Sequence, residues 1–131
     1  MSQTDAKLSD IQFSNPRVSE WDFKRNEKYI PAKSANLPFT YSYEIEATGE
    51  FSAIVRLRAI LGGAETKESP FILNATISST FHWDDSLKDP QKYLQVNAVM
   101  LLISYLRPMI TQFTTYAGYS AFVLPFIDVR K

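Results

Sequence analysis

The chain has 131 residues, with 14 Lys+Arg against 14 Asp+Glu, 45% apolar and 14% aromatic residues, and no cysteine. That length suffices for one domain that buries about two thirds of its unfolded surface. The charge balance leaves no electrostatic footprint for nucleic acid or for an anionic membrane, and the missing cysteines exclude disulfides and thiolate metal sites.

The N-terminus, MSQTDAKLSD, lacks the basic and apolar regions of a signal peptide, so a cytosolic protein is expected. Residues 1–8 are polar and should fray. Residues 10–23 read as a first strand at a sheet edge, broken by a bulge at Asn15-Pro16, because proline cannot donate to a ladder. Residues 25–38 carry charges and prolines without a period and read as a long loop, a common place for function.

Residues 39–47 alternate, with Phe39, Tyr41, Tyr43, Ile45 and Ala47 inward. Residues 51–61 alternate too, with Phe51, Ala53, Val55, Leu57, Ala59 and Leu61 inward. Opposed residues of a hairpin share a face, and both inward sets are odd-numbered. This parity excludes a two-residue turn at Thr48-Gly49. It favours a three-residue loop, Thr48-Gly49-Glu50, with Ala47 opposite Phe51, Ser42 opposite Arg56, and Glu44 diagonal to Arg56. Residues 62–69 form a polar turn, and 71–83 are a third alternating run with Phe71, Leu73, Ala75, Ile77, Phe81 and Trp83 inward. Asp89-Pro90 can start a short helical turn with proline at N1.

Residues 97–118 predict the one long helix, with Asn97 as N-cap and Gly118 as its stop. Val99, Leu102, Ile103, Leu106, Ile110 and Phe113 make one apolar stripe. Ala98, Met100, Leu101 and Met109 fall outside it, so the first two turns are apolar nearly all round. The segment is too short, and too interrupted by Ser104, Arg107 and Pro108, to span a bilayer. It therefore needs a second apolar surface. A symmetric contact between copies through Met100, Leu101, Leu102, Leu106 and Met109 is expected. Beyond Gly118 the chain is extended and apolar around Pro125. Strands followed by one helix imply an α+β fold, a four-stranded antiparallel meander covered on one face by the helix, in a single domain spanning 1–131.

Little here suggests catalysis. His82 is the only histidine, and no second His or Cys completes a metal set, so it reads as a surface residue. Asp84-Asp85 read as a solvated turn, and Gly62-Gly63 lack the helix start and Lys-Ser/Thr of a phosphate loop. Arg107, inside the apolar helix, is expected to pair with an acid or a carbonyl across an interface, or to snorkel. No nucleophile and base combine, so no enzyme, metal or cofactor is expected. The aromatics of the loops and element ends are the more informative set: Trp21, Tyr29, Tyr116, Tyr119, Phe122 and Phe126, beside Ile30, Leu37 and Val123. They either seal the rim of the core or line an apolar groove for a ligand or an extended peptide.

The segment from the helix to the end resembles the SecB protein-export chaperones. The residues concerned are Leu102-Ile103-Ser104-Tyr105-Leu106-Arg107, Ile110-Thr111-Gln112-Phe113-Thr114, Gly118, and Leu124-Pro125-Phe126-Ile127-Asp128-Val129. Ile11-Gln12-Phe13 is similar to the family's first strand, and residues 51–61 to its third. The resemblance implies a dimer-of-dimers tetramer with helices in the middle. It also implies ATP-independent binding of unfolded or pre-export polypeptide in apolar grooves lined from residues 25–38 and 116–126. The departures are Ser104, Ser120-Ala121 and Phe126 where the family has prolines, and a sequence that ends before the family's final helix and tail. The groove is therefore expected to be shallow. Of the family's acidic positions for the SecA motor, matched by Asp10, Ser14 and Asn74, one remains acidic. A holdase is the leading expectation. The alternatives are a small-ligand-binding domain using the same aromatics, and an adaptor chaperone dedicated to one partner such as an antitoxin.

Overall fold

The computed structural model describes residue 3 and residues 9–31, 37–63 and 67–130. Apart from Gln3, the N-terminal stretch expected to fray lies outside the described residues, as do parts of the loops 25–38 and 62–69.

Five strands form one antiparallel sheet: β1 (Ile11–Phe13), β2 (Arg17–Arg25), β3 (Phe39–Gly49), β4 (Ser52–Gly62) and β5 (Phe71–Trp83). The spatial order is β1-β5-β4-β3, with β2 also paired to β5. β1 and β2 are thus one interrupted edge strand. Asn15-Pro16 separates them, and a further register shift lies between Val18 and Glu20. The expected antiparallel sheet is present, with β3, β4 and β5 as a meander, but its first strand, in two pieces, crosses over to pair with β5 and not with β3.

The alternation of β4 and β5 becomes burial. Val55, Leu57 and Ile77 are fully enclosed, and Ala53, Ala59, Leu61, Phe71, Leu73, Ala75 and Phe81 nearly so. Each large side chain buried this way contributes about 1.5–3 kcal/mol. Ser79 is also buried on this face, and its hydroxyl donates to the Ser14 carbonyl at 2.6 Å.

The β3–β4 register corrects the hairpin expectation. Ala47 lies opposite Ala53, not Phe51, and the ladder shifts between Ala47 and Gly49 so that Gly49 faces Ser52. The bulge absorbs one residue, which permits a two-residue turn at Glu50-Phe51 without breaking the parity of the inward faces. Phe51 is therefore exposed at the turn instead of facing the core. Glu44 stands directly opposite Arg56 and pairs with it at 3.3 Å. At the far end of β4, Gly62 has φ +86°, and a Cβ there would lie 2.1 Å from the Phe71 carbonyl oxygen, so only glycine closes this strand.

The helix begins earlier than its expected cap. Asp89 caps α1 (Pro90–Tyr93), its carboxylate accepting from the Lys92 amide at 3.2 Å with proline in the first turn. A π-helical turn (Leu94–Ala98) then leads into α2 (Val99–Tyr116). Asn97 lies inside this continuous run and caps nothing. Asp89-Pro90 supplies the start, and the wider turn carries the chain on instead of ending it. The 27 residues from Pro90 to Tyr116 are long and apolar enough to cross a bilayer by length and composition alone. Here they lie against β4 and β5, with Val99, Leu102, Ile103, Leu106 and Ile110 buried beneath. At the other end Gly118 (φ +93°) stops α2 as expected. The Gly118 amide donates to the Thr115 carbonyl at 3.1 Å and the Tyr119 amide to the Thr114 carbonyl at 3.0 Å, a Schellman closure.

Candidate functional site

A helix has room for more than one stripe. Beside the buried row at 102, 106 and 110, the steps Leu101–Tyr105–Met109–Phe113 and Met100–Ser104–Pro108–Gln112–Tyr116 run along its outer flank. Three shallow hollows follow that flank. The first, about 430 Å³, includes Phe13, Phe81, Tyr93, Asn97, Met100 and Leu101 in its lining. The second, about 360 Å³, is formed by Ser104, Tyr105, Pro108, Met109 and Gln112. The third, about 270 Å³, is formed by Trp21, Met109, Gln112, Phe113 and Tyr116. The second and third share Met109 and Gln112. The Phe13 and Tyr105 rings, edge to face at 6.1 Å, link the first to the second. The result is an open apolar trough where the helix meets β1 and β2.

This trough sorts the interface residues. Met100 is 45% exposed, and Leu101 and Met109 are half-buried, so all three can meet a partner. Leu102 and Leu106 are 0% exposed and belong to the core under the sheet, which corrects their expected place at an interface. The physical reason is the turn of about 100° per residue, which puts 102 and 106 with Val99, Ile103 and Ile110 on the inner face. Phe13, Tyr105, Pro108 and Gln112 were not among the expected site residues. The four-residue spacing of Leu101, Tyr105 and Met109 was the signal that could have found Tyr105, whereas Phe13 joins the trough only through pairing of β1 with β5.

The proposed groove aromatics divide as well. Trp21 packs edge-on to Phe113 at 5.3 Å and reaches the trough with Tyr116, which is 82% exposed. Tyr119 joins a rim cluster with Phe23 and Phe71, at 6.1 and 5.1 Å, with the Arg25 guanidinium 5.7 Å from its ring centre. Leu37 and Phe122 also pack against the core. Tyr29 and Ile30 stand on a turn after β2, anchored by Asn26. Its side-chain amide donates to the Ser69 carbonyl at 2.7 Å, and the Ile30 amide donates to the Lys67 carbonyl at 3.0 Å. The trough lining contains Trp21 and Tyr116 but neither Tyr29 nor Ile30.

Residues 119–130 form neither helix nor strand, yet side chains of the helix hold their backbone. They run back along the helix opposite to its direction. The Phe122 amide donates to the Thr114 hydroxyl at 3.0 Å, and the Thr111 hydroxyl lies 2.8 Å from the Phe122 carbonyl oxygen. Arg107 donates from Nε to the Leu124 carbonyl at 2.9 Å and from a terminal nitrogen to the Pro125 carbonyl at 3.2 Å. Its pairing with carbonyls, one of the expected roles, is thus made within its own chain. Leu124 is buried, while Val123 and Phe126 are 66% and 94% exposed, with the Phe126 ring centre 5.1 Å from the Arg107 guanidinium.

The opposite face of the sheet is polar. Arg56 pairs with Glu44 and Glu46, at 3.3 and 3.8 Å, and Arg58 with Glu20 at 3.9 Å. These exposed pairs are worth at most about 1 kcal/mol each. The Ser14 hydroxyl accepts from the Thr80 amide at 3.1 Å, so this position serves the ladder. His82 is exposed at the end of β5. Nearby, the Ser86 hydroxyl and amide both donate to the Asp84 carboxylate and hold its pKa below the ordinary value.

No protein-family model and no curated protein matches the sequence. Its backbone, however, is similar to that of Rv1957, a SecB-like chaperone of Mycobacterium tuberculosis solved in complex with a ChAD peptide from the Rv1956 HigA1 antitoxin. The TM-score is 0.73, the identity 13%, and 91% of each chain is covered. A protein of unknown function from Streptococcus agalactiae is also similar, with a TM-score of 0.60, 14% identity, and coverage of 88% of this chain and 97% of that one. The chain has the SecB-like fold, an antiparallel sheet with one long helix across a face.

Proposed function

We propose that this protein is a polypeptide-binding chaperone, a single SecB-like domain acting in the cytosol without ATP, enzymatic chemistry or a bound cofactor. The observation that carries the reading is the apolar surface left open around the helix: the trough from Phe13 to Tyr116, together with the exposed side chains of Val123 and Phe126. Exposed patches of this kind mark binding surfaces. An extended, apolar segment of a non-native chain fits an open trough better than a small molecule does, since the three hollows along the helix are surface grooves and not enclosed chambers. The peptide complex of the M. tuberculosis protein supports a polypeptide ligand.

In this reading Trp21, Tyr29, Ile30, Leu37, Tyr116, Val123 and Phe126 contact the client, with Tyr119 and Phe122 as the floor. Met100, Leu101 and Met109, joined by Tyr105, supply a contact between copies in a homo-oligomer, which takes the middle of the trough and leaves its Trp21–Tyr116 end and residues 119–130 to the client. The client is either an unfolded chain of any kind, including one bound for export, or one dedicated partner. The second reading, an adaptor chaperone, is favoured equally by the antitoxin peptide held by the M. tuberculosis protein. Suppression of aggregation of an unrelated unfolded protein tests the first. A several-fold molar excess that leaves aggregation unchanged rejects a general holdase and favours the dedicated adaptor.

A further inference from the structure

The contacts that hold residues 119–130 have an unusual character. Beyond the helix cap, where the Tyr119 amide donates to the Thr114 carbonyl, four further polar bonds tie the helix to this strap, and all end on main-chain groups: the Phe122 amide and carbonyl, and the carbonyls of Leu124 and Pro125. No side chain of the strap is read by a polar group of the helix in these four bonds. Apart from the Arg107 guanidinium near the Phe126 ring, what remains is apolar, with Leu124 enclosed and Phe122, Ile127 and Val129 half-buried against the core. This is the chemistry by which an extended peptide of relaxed sequence is gripped: backbone hydrogen bonds for affinity, pockets for some of the side chains. Strands in this fold hold one another through ladders, but the strap has no ladder, and past the backbone bond at Tyr119 its polar anchors on the helix are three side chains, Arg107, Thr111 and Thr114.

We infer that the helix face formed by Arg107, Thr111 and Thr114 is itself a groove for extended polypeptide, and that residues 119–130 occupy it as a resident peptide in cis. The inference rests on the chaperone reading and deepens it by locating a second section of the client site. Val123 and Phe126, which point outward, meet the client first. The client then competes with the strap for the three anchors and for the Leu124 pocket. A site filled by its own chain binds with an apparent affinity lowered by the fraction of time it is filled, so loosening the strap strengthens client binding.

Leu124→Ala weakens the occupant and leaves the three anchors intact. Its affinity for a reduced, permanently unfolded client should rise by at least about fivefold. Amide exchange over residues 120–129 should accelerate, and that of β4 and β5 should stay as in the parent. Where the parent binds client, unchanged or weaker client binding by the folded variant overturns the inference.

A milder variant guards against a failure of Leu124→Ala to fold. Ile127→Ala removes a half-buried side chain of the strap and leaves Arg107, Thr111 and Thr114 in place. Its client affinity should also rise, by about twofold or more, and unchanged binding by this folded variant overturns the inference. A synthetic peptide of residues 119–130 separates this inference from the chaperone reading. Saturable binding of the peptide to Leu124→Ala, tighter than to the parent, supports the groove even where no unfolded client binds. Absence of peptide binding, with client binding intact, overturns the groove alone.

Discussion

The β4–β5 hairpin and the strap 119–130 are both apolar, yet they are held by opposite means. In the hairpin the two strands pair over an unbroken register from Ser52–His82 to Gly62–Ile72, and odd-numbered side chains face the core. In the strap the backbone is held by side chains of the helix, and only Leu124 is fully enclosed. A ladder is cooperative, because neighbouring bonds support one another across the sheet. A few side-chain anchors are separable, so losing one releases part of the strap without disturbing the sheet. The same contrast divides the helix, whose inner stripe belongs to the core and whose outer stripe is open to partners.

The strongest test of that division lies in the inner stripe. Leu106→Asp places a charge at a site with no exposure and should cost several kcal/mol, enough to unfold the protein in a denaturant or thermal melt. A folded, merely dissociated Leu106→Asp variant would return Leu106 to the interface. Arg107→Ala should cost less, about 1–2 kcal/mol for charge-assisted bonds at a half-buried site. Its signature is faster amide exchange in residues 122–126 with β4 and β5 still protected. Uniformly faster exchange would mean that strap and sheet open as one unit.

Met109→Asp probes the outer stripe, and stability should change by no more than about 1 kcal/mol. Its readout is light scattering, in which the oligomer expected of the parent should give way to a monomer. A parent that is itself monomeric removes the interface and leaves the trough to clients. The smallest effect concerns Asp84, exposed and held by Ser86. Its carboxylate pKa is lowered in the folded state, so its contribution is present above the unfolded-state value and lost as the pH falls through the folded one. Asp84→Asn should therefore flatten the acid limb of the stability profile slightly, with no change near neutrality.

Much of this was written in the local pattern. The alternation of residues 53–61 and 71–81 fixed two strands and their inward faces, because a pleated strand has a period of two whatever it packs against. Asn15-Pro16 marked the break of the edge strand, Asp89-Pro90 a helix start, and Gly118 the helix end, each through a backbone constraint carried by one or two residues. The SecB-like fold was legible as a resemblance in the segment from Leu102 to Val129.

Tertiary structure decided the rest. Parity cannot distinguish a register from one shifted by two residues, so the bulge between Ala47 and Gly49 and the exposure of Phe51 awaited the folded hairpin. An apolar helix shows that it has two faces to cover, but not which leucines meet the sheet. Packing against β4 and β5 assigned Leu102 and Leu106 to the core and left Met100, Leu101 and Met109 outside. The strap has no period at all. Its path depends on Arg107, Thr111 and Thr114 reaching carbonyls and an amide 8 to 18 residues further along the chain, a meeting that local sequence preferences do not encode.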